Sequence, residues 1–203
     1  MAKDDDSPEG PLEIPIVGEL TEHETDICDK LLSVPIGGEC ILYFNSPGGS
    51  AYAALSLMSL MVIRGLQATG IVTGECSSAA LWPLAACRRR YVTPHSILLF
   101  HPMKWESGEH VEIAEAAEWA RHFGHLEQEM DGVLATLLGM PKDKLATWMR
   151  PGKYVTGREF ASAGLAELME LAALPHLQGT SLQTGKGKKR KKLPRTYSLR
   201  NDA

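Results

Sequence analysis

Short apolar runs alternate with longer stretches of helical spacing, and each change of period falls at a glycine, a proline or a polar cluster. Residues 13–17 read as a short extended segment that stops at Gly18. Residues 20–32 carry apolar positions at helical spacing, with Thr21 or Thr25 available as a cap. Residues 40–44 (CILYF) form a continuous apolar run of strand length, stopped by the turn residues 45–49 (NSPGG). The dense apolar pattern of 51–63 predicts a buried helix, and 68–73 (ATGIVT) predicts a strand ending at Gly74. Residues 78–87 (SAALWPLAAC) read as a helix in which Pro83 is tolerated only near the first turns. Residues 91–92 and 96–100 (SILLF) read as strands. A long helix rich in Ala, Glu and Leu follows over 111–138, then short helices over 142–149 and 156–163. The last of these closes at Gly164, which suits a glycine just past a helix end.

Strands alternating with helices predict an α/β fold with right-handed crossovers. Uninterrupted apolar strands are those of a parallel sheet buried on both faces. Three regions are expected: a polar, disordered segment over 1–12, a folded domain over 13–174, and a disordered tail over 179–203. With 44% hydrophobic and 23% charged residues, the folded part can bury a core without disulfides or metal. Cys28, Cys40, Cys76 and Cys87 form no CxxC pair and match no zinc-site spacing, so reduced thiols of a cytoplasmic protein are expected.

The net charge of −4 conceals two opposite regions. Residues 179–203 hold eight Lys/Arg and one Asp, a balance of +7, so the remainder carries −11. The basic tail has one aromatic residue, Tyr197, and reads as a solvated segment rather than a nucleic-acid platform. No apolar run reaches 18 residues, and the acidic first ten residues lack a secretory signal, so no membrane partner is expected.

Two strand-to-helix junctions carry candidate chemistry. In 45–50 (NSPGGS), Pro47 stiffens the turn, while Gly48 and Gly49 permit backbone angles that bring bare N–H groups toward a ligand oxygen at a helix start. A plain tight turn accounts for the same residues. In 74–80 (GECSSAA), Ser78 follows a buried strand and opens a helix. It suits a nucleophile held on a sharp turn, although capping is the ordinary role of such a serine. Ala79 and Ala80 leave room beside it, and the Ala79 N–H could act with that of Gly49 as an oxyanion hole. A nucleophilic serine needs a base. His101 leaves the end of the strand SILLF, and sites on parallel sheets gather at the carboxyl ends of strands. All three features should therefore meet on one edge.

At this point the chain resembles a known family. The run LYFNSPGGSAYAALSLM resembles the first signature of Clp protease proteolytic subunits. GECSSAALWPLAAC resembles the segment holding their nucleophilic serine, SILLFHP the strand delivering their histidine, and YVTGREFASAGLAE the segment after their catalytic loop. All four occur in family order over about 14–167. The resemblance implies the spiral α/β core of the Clp protease and crotonase superfamily, with the long helix as a protruding handle joining two rings. It implies a serine endopeptidase with Ser78 as nucleophile, His101 as base and the Gly49 and Ala79 N–H groups as oxyanion donors. No metal or organic cofactor is implied. The implied partners are unfolded polypeptide, an AAA+ unfoldase, and further copies in heptameric or stacked rings.

The chain departs from that family at its third triad position. Aligning YVTG with the family segment places Gly152 where an aspartate is expected, and 149–153 contain no carboxylate. Asp131 and Asp143 are candidate substitutes. Without any substitute the chain is a Ser-His dyad, or an inactive subunit that assembles with an active paralogue. A crotonase-type acyl-CoA enzyme is a third reading. Two further departures are expected to alter contacts. A segment MKWESGEHVE replaces the glycine-rich handle strand, and the region before the first strand is short, which leaves the family's axial hairpin reduced.

Overall fold

The short apolar runs become neighbouring strands of one sheet, and the helices between them return the chain so that successive strands run parallel. The computed structural model describes residues 10–21, 24–104 and 110–171. In chain order the elements are β1 (Leu12–Val17), α1 (Glu24–Ser33), β2 (Glu39–Ser46), α2 (Ala51–Ile63), β3 (Gln67–Cys76), α3 (Leu81–Ala86), β4 (Arg89–Val92), β5 (Ile97–Phe100), α4 (Ile113–Leu138), α5 (Lys142–Met149), β6 (Lys153–Thr156), α6 (Gly157–Ser162) and β7 (Glu167–Leu168). A single 3-10 turn, Ser78–Ala80, lies between β3 and α3. Strands β1, β2, β3, β4 and β7 are neighbours in that order and all parallel. Strand β5 pairs parallel with the far end of β3 and antiparallel with β6. This is the mostly parallel α/β architecture the sequence predicts, with a 26-residue helix.

The expectation of strands buried on both faces is corrected. Along β2, Cys40, Leu42, Phe44 and Ser46 are buried, whereas Ile41 and Tyr43 are half-buried and Asn45 is exposed. The main helices pack in series, α1 on α2, α2 on α3 and α3 on α4, so they form one layer and shield one sheet face. Only the last third of α4 enters the core, through Met130, Leu134, Ala135 and Leu138, and the remainder stands largely exposed. Trp82 of α3 donates its indole N–H to the Met130 carbonyl at 3.1 Å, which anchors that buried end.

Several boundaries differ from the sequence reading. Strand β3 does not stop at Gly74 but runs on to Cys76. A Cβ there would lie 2.5 Å from the Asn45 side-chain oxygen, which accepts the Glu75 N–H at 3.2 Å. The glycine thus makes room for a neighbour and is not a stop. Leu20 and Thr21 form a turn, and α1 begins at Glu24. The expected helix over 78–87 divides into the 3-10 turn and α3. Thr156 caps α6 in a reciprocal arrangement with Glu159, and Gly164 follows the helix with φ of 78°.

Cys40, Cys76 and Cys87 are buried thiols in no disulfide, and burial pushes the Cys40 thiol up to about 11. Among the described residues there is no cluster of metal ligands, and no helix is long and apolar enough to cross a membrane. The basic tail over 179–203, residues 1–9 of the N-terminal segment and residues 105–109 of the altered handle segment lie outside the described residues.

Candidate active site

The turn after β2 is fixed by Ser46, a fully buried polar residue. Its hydroxyl donates to the Gly18 carbonyl at 2.6 Å and accepts the Gly48 N–H at 3.1 Å. Its carbonyl accepts the Ser77 N–H at 3.0 Å, immediately before Ser78. One residue therefore joins three segments: the end of β1, the SPGG turn and the serine turn. Leu20 N–H closes the arrangement on the Gly48 carbonyl at 3.0 Å. Ser50 caps α2 by accepting the Ala53 N–H, so Gly49 lies just ahead of the helix start with φ of 137°.

Gly48 presses directly on the serine turn. With φ of 97°, it would place a Cβ 2.6 Å from the Ser77 carbonyl oxygen, 2.7 Å from Ser78 Cβ and 2.8 Å from the Ala79 nitrogen. Only a hydrogen fits there. Ser78 itself has φ of 54°, in the left-handed region that non-glycine residues seldom adopt. Such strain concentrates where a surrounding structure holds a residue for function, and a strand-to-helix turn of this kind presents a serine hydroxyl. The Ala79 N–H belongs to the first residues of a 3-10 turn, which have no partner within the turn. SPGG and Ser78 are thus brought together as expected.

His101 arrives from the adjoining strand. Glu75 and Ile97 are register partners, and Ser77 Oγ accepts the Leu99 N–H at 3.2 Å. Ser78 is one residue beyond Ser77 and His101 two beyond Leu99, so both leave the carboxyl ends of neighbouring parallel strands. Gly152 completes the local geometry. The antiparallel register pairs Phe100 with Lys153, and a Cβ on Gly152 would lie 3.5 Å from His101 Cβ. Gly152, where the resemblance leads one to expect an aspartate, therefore lies against His101 and carries no side chain. With φ of 128°, its backbone is one that other residues rarely adopt.

The imidazole is instead held by the main chain. His101 Nδ1 lies 2.6 Å from the Pro102 carbonyl oxygen. A carbonyl can only accept, so Nδ1 is the donor in this bond, and in the neutral ring Nε2 is the acceptor. Neither carboxylate considered from sequence fills this role. Asp131 accepts from Arg150 at 3.2 Å, and burial, outweighing that guanidinium, holds its carboxyl above the usual range. Asp143 lines a cavity of about 390 Å³ with Asp131, Lys142 and Arg150. Three residues at this site escaped sequence reasoning. In sequence Ser46 is one residue of a turn, Ser77 stands beside a more prominent serine, and Glu127 is one of several acids in a long helix. Glu127 accepts the Met103 N–H at 2.7 Å and pairs with Arg150 at 2.9 Å. No short-range pattern marks Glu127, because its partners lie 24 and 23 residues away.

The family model described as Clp protease matches residues 14–170. An ATP-dependent Clp protease proteolytic subunit of Pleurastrum terricola is 26% identical over 133 residues, covering 64% of this chain and 67% of that protein. ATP-dependent Clp protease proteolytic subunit 1 of Mycobacterium leprae is 30% identical over 129 residues, covering 62% and 63%. The corresponding subunit 1 of Mycobacterium tuberculosis is 29% identical over the same length. The chain spans about two thirds of the length of these relatives.

Proposed function

The chain belongs to the Clp protease family, and from that premise we propose that it is a serine endopeptidase cutting unfolded polypeptides through an acyl-enzyme. The observation that carries this reading is the left-handed Ser78 turn, wedged against Gly48 beside the strand that leads into His101. Nε2 of His101 takes the Ser78 proton as Oγ attacks a peptide carbonyl. The N–H groups of Gly49 and Ala79 receive the oxyanion. His101 then protonates the leaving amine, and water releases the acyl group.

The subunit works in a ring of its own copies, fed by an AAA+ unfoldase. Leu32, Ile36, Val62 and Ile63 support such association. They are exposed apolar residues at adjoining ends of α1 and α2, joined by Arg64 donating to the Leu32 and Val34 carbonyls, and Ile36 and Ile63 are 79% and 81% exposed. A second reading, a non-catalytic subunit in a mixed ring, is favoured by one observation, the missing side chain at Gly152.

Cleavage decides between them. The assembled chain alone, incubated with an unstructured polypeptide, is expected to generate new amino termini by mass spectrometry, and Ser78→Ala is expected to generate them about 10³-fold more slowly. Absence of cleavage by a homogeneous assembly, with cleavage only after an active paralogue is added, would favour the second reading.

A further inference from the structure

We infer that Glu127 is a positioning residue for His101, acting through the peptide group between Pro102 and Met103. This rests on the Ser78–His101 reading above. That peptide group is bonded at both ends: its carbonyl oxygen accepts from His101 Nδ1 at 2.6 Å, and its N–H donates to Glu127 Oε1 at 2.7 Å. A hydrogen bond at one end of an amide polarises it and strengthens the bond at the other, an effect of about 10–30% per bond. The carboxylate missing at Gly152 is thus supplied from another direction, one amide away, by a residue of α4.

The rest of the arrangement holds Glu127 in that role. Its side chain is 20% exposed, and its second oxygen, Oε2, is taken by Arg150 at 2.9 Å. Arg150 in turn reaches Asp131 at 3.2 Å. Arg150 lies two residues before Gly152, and Met103 two after His101, so Glu127 ties together the two segments that meet at the imidazole. A carbonyl held this way keeps the proton on Nδ1, which is the tautomer a base toward Ser78 requires. It contributes less negative charge to the imidazolium than a carboxylate in direct contact would. The relay thus retains orientation and gives up part of the electrostatic contribution.

The test is nitrogen-15 and proton resonance spectroscopy of the His101 ring in the assembled chain, with the rate of fluorophosphonate labelling as a second readout. Wild type is expected to show a protonated Nδ1, with its proton shifted downfield, and an unprotonated Nε2. Glu127→Gln keeps an acceptor without the charge, so the proton is expected to move upfield with the tautomer retained. Glu127→Ala is expected to give mixed tautomers and labelling slowed by about 10²-fold, the scale of a misplaced catalytic group. Arg150→Met removes the ion pair but leaves the Met103 bond, and is expected to keep the tautomer. It separates this role from simple anchoring of the helix, in which Arg150→Met would reproduce Glu127→Ala. An unchanged ring spectrum in a folded Glu127→Ala would overturn the inference. The spectra are readable even if no variant labels, so failure of the hydrolase reading is seen separately.

Discussion

Replacing His101 by alanine is expected to lower the turnover of an unstructured peptide by about 10³-fold, and Ser78→Ala, alone or combined with it, by the same factor. Residues that act as one unit lose their effect together, so the double variant should be no worse than either single one. The magnitude follows from two limits. In a serine protease with a complete triad, removing serine or histidine costs about 10⁶ in turnover, while removing the aspartate alone costs about 10⁴. A chain that had lost all orientation of its histidine would therefore have only about 10² left to lose. The bond from Nδ1 to the Pro102 carbonyl restores position and part of the charge, which sets the expected value between the limits. Losses that multiply in the double variant would mean that Ser78 and His101 do not act together.

Gly48→Ala is expected to abolish fluorophosphonate labelling and to destabilise the fold by about 3 kcal/mol, from backbone strain and overpacking together. For a domain of this size that is a fall in Tm of about 6–12 °C, measurable by calorimetry. The added methyl would overlap Ser77, Ser78 and Ala79 at 2.6–2.8 Å, and its neighbours there are main-chain atoms and a Cβ that cannot rotate away. Gly65→Ala provides the comparison. Gly65 also has a positive φ, 61°, but nothing lies within 4 Å of its Cβ position. That variant is expected to cost about 1 kcal/mol and to leave labelling unchanged. If both variants kept full labelling, the contact between the SPGG turn and the serine turn would have no part in the site.

The elements that place Ser78 are legible in the sequence because their signals are local. The run CILYF followed by SPGG gave a strand and its exit, and α2 occupies the predicted residues 51–63. The edge shared by Ser78 and His101 followed from both lying at strand ends. Strand β6 was missed because it is four residues long, with only Val155 buried, and its last residue caps the next helix. Strand β7 has two residues and no period to read. Gly74 reads as a stop in sequence because glycine usually ends a strand pattern, yet in the fold it admits the Asn45 side chain from a neighbouring strand. The orientation of His101 was illegible for a related reason. In sequence a third group is expected as a side chain near position 152, whereas the Nδ1 partner is the main-chain carbonyl of the next residue, backed by a carboxylate from a distant helix.

The most direct measurement is the mass of peptides from the assembled chain after reaction with a fluorophosphonate. A single adduct on the peptide containing Ser78, absent after His101→Ala, is the predicted result. An adduct on another serine, or none on a folded and assembled chain, would contradict the account.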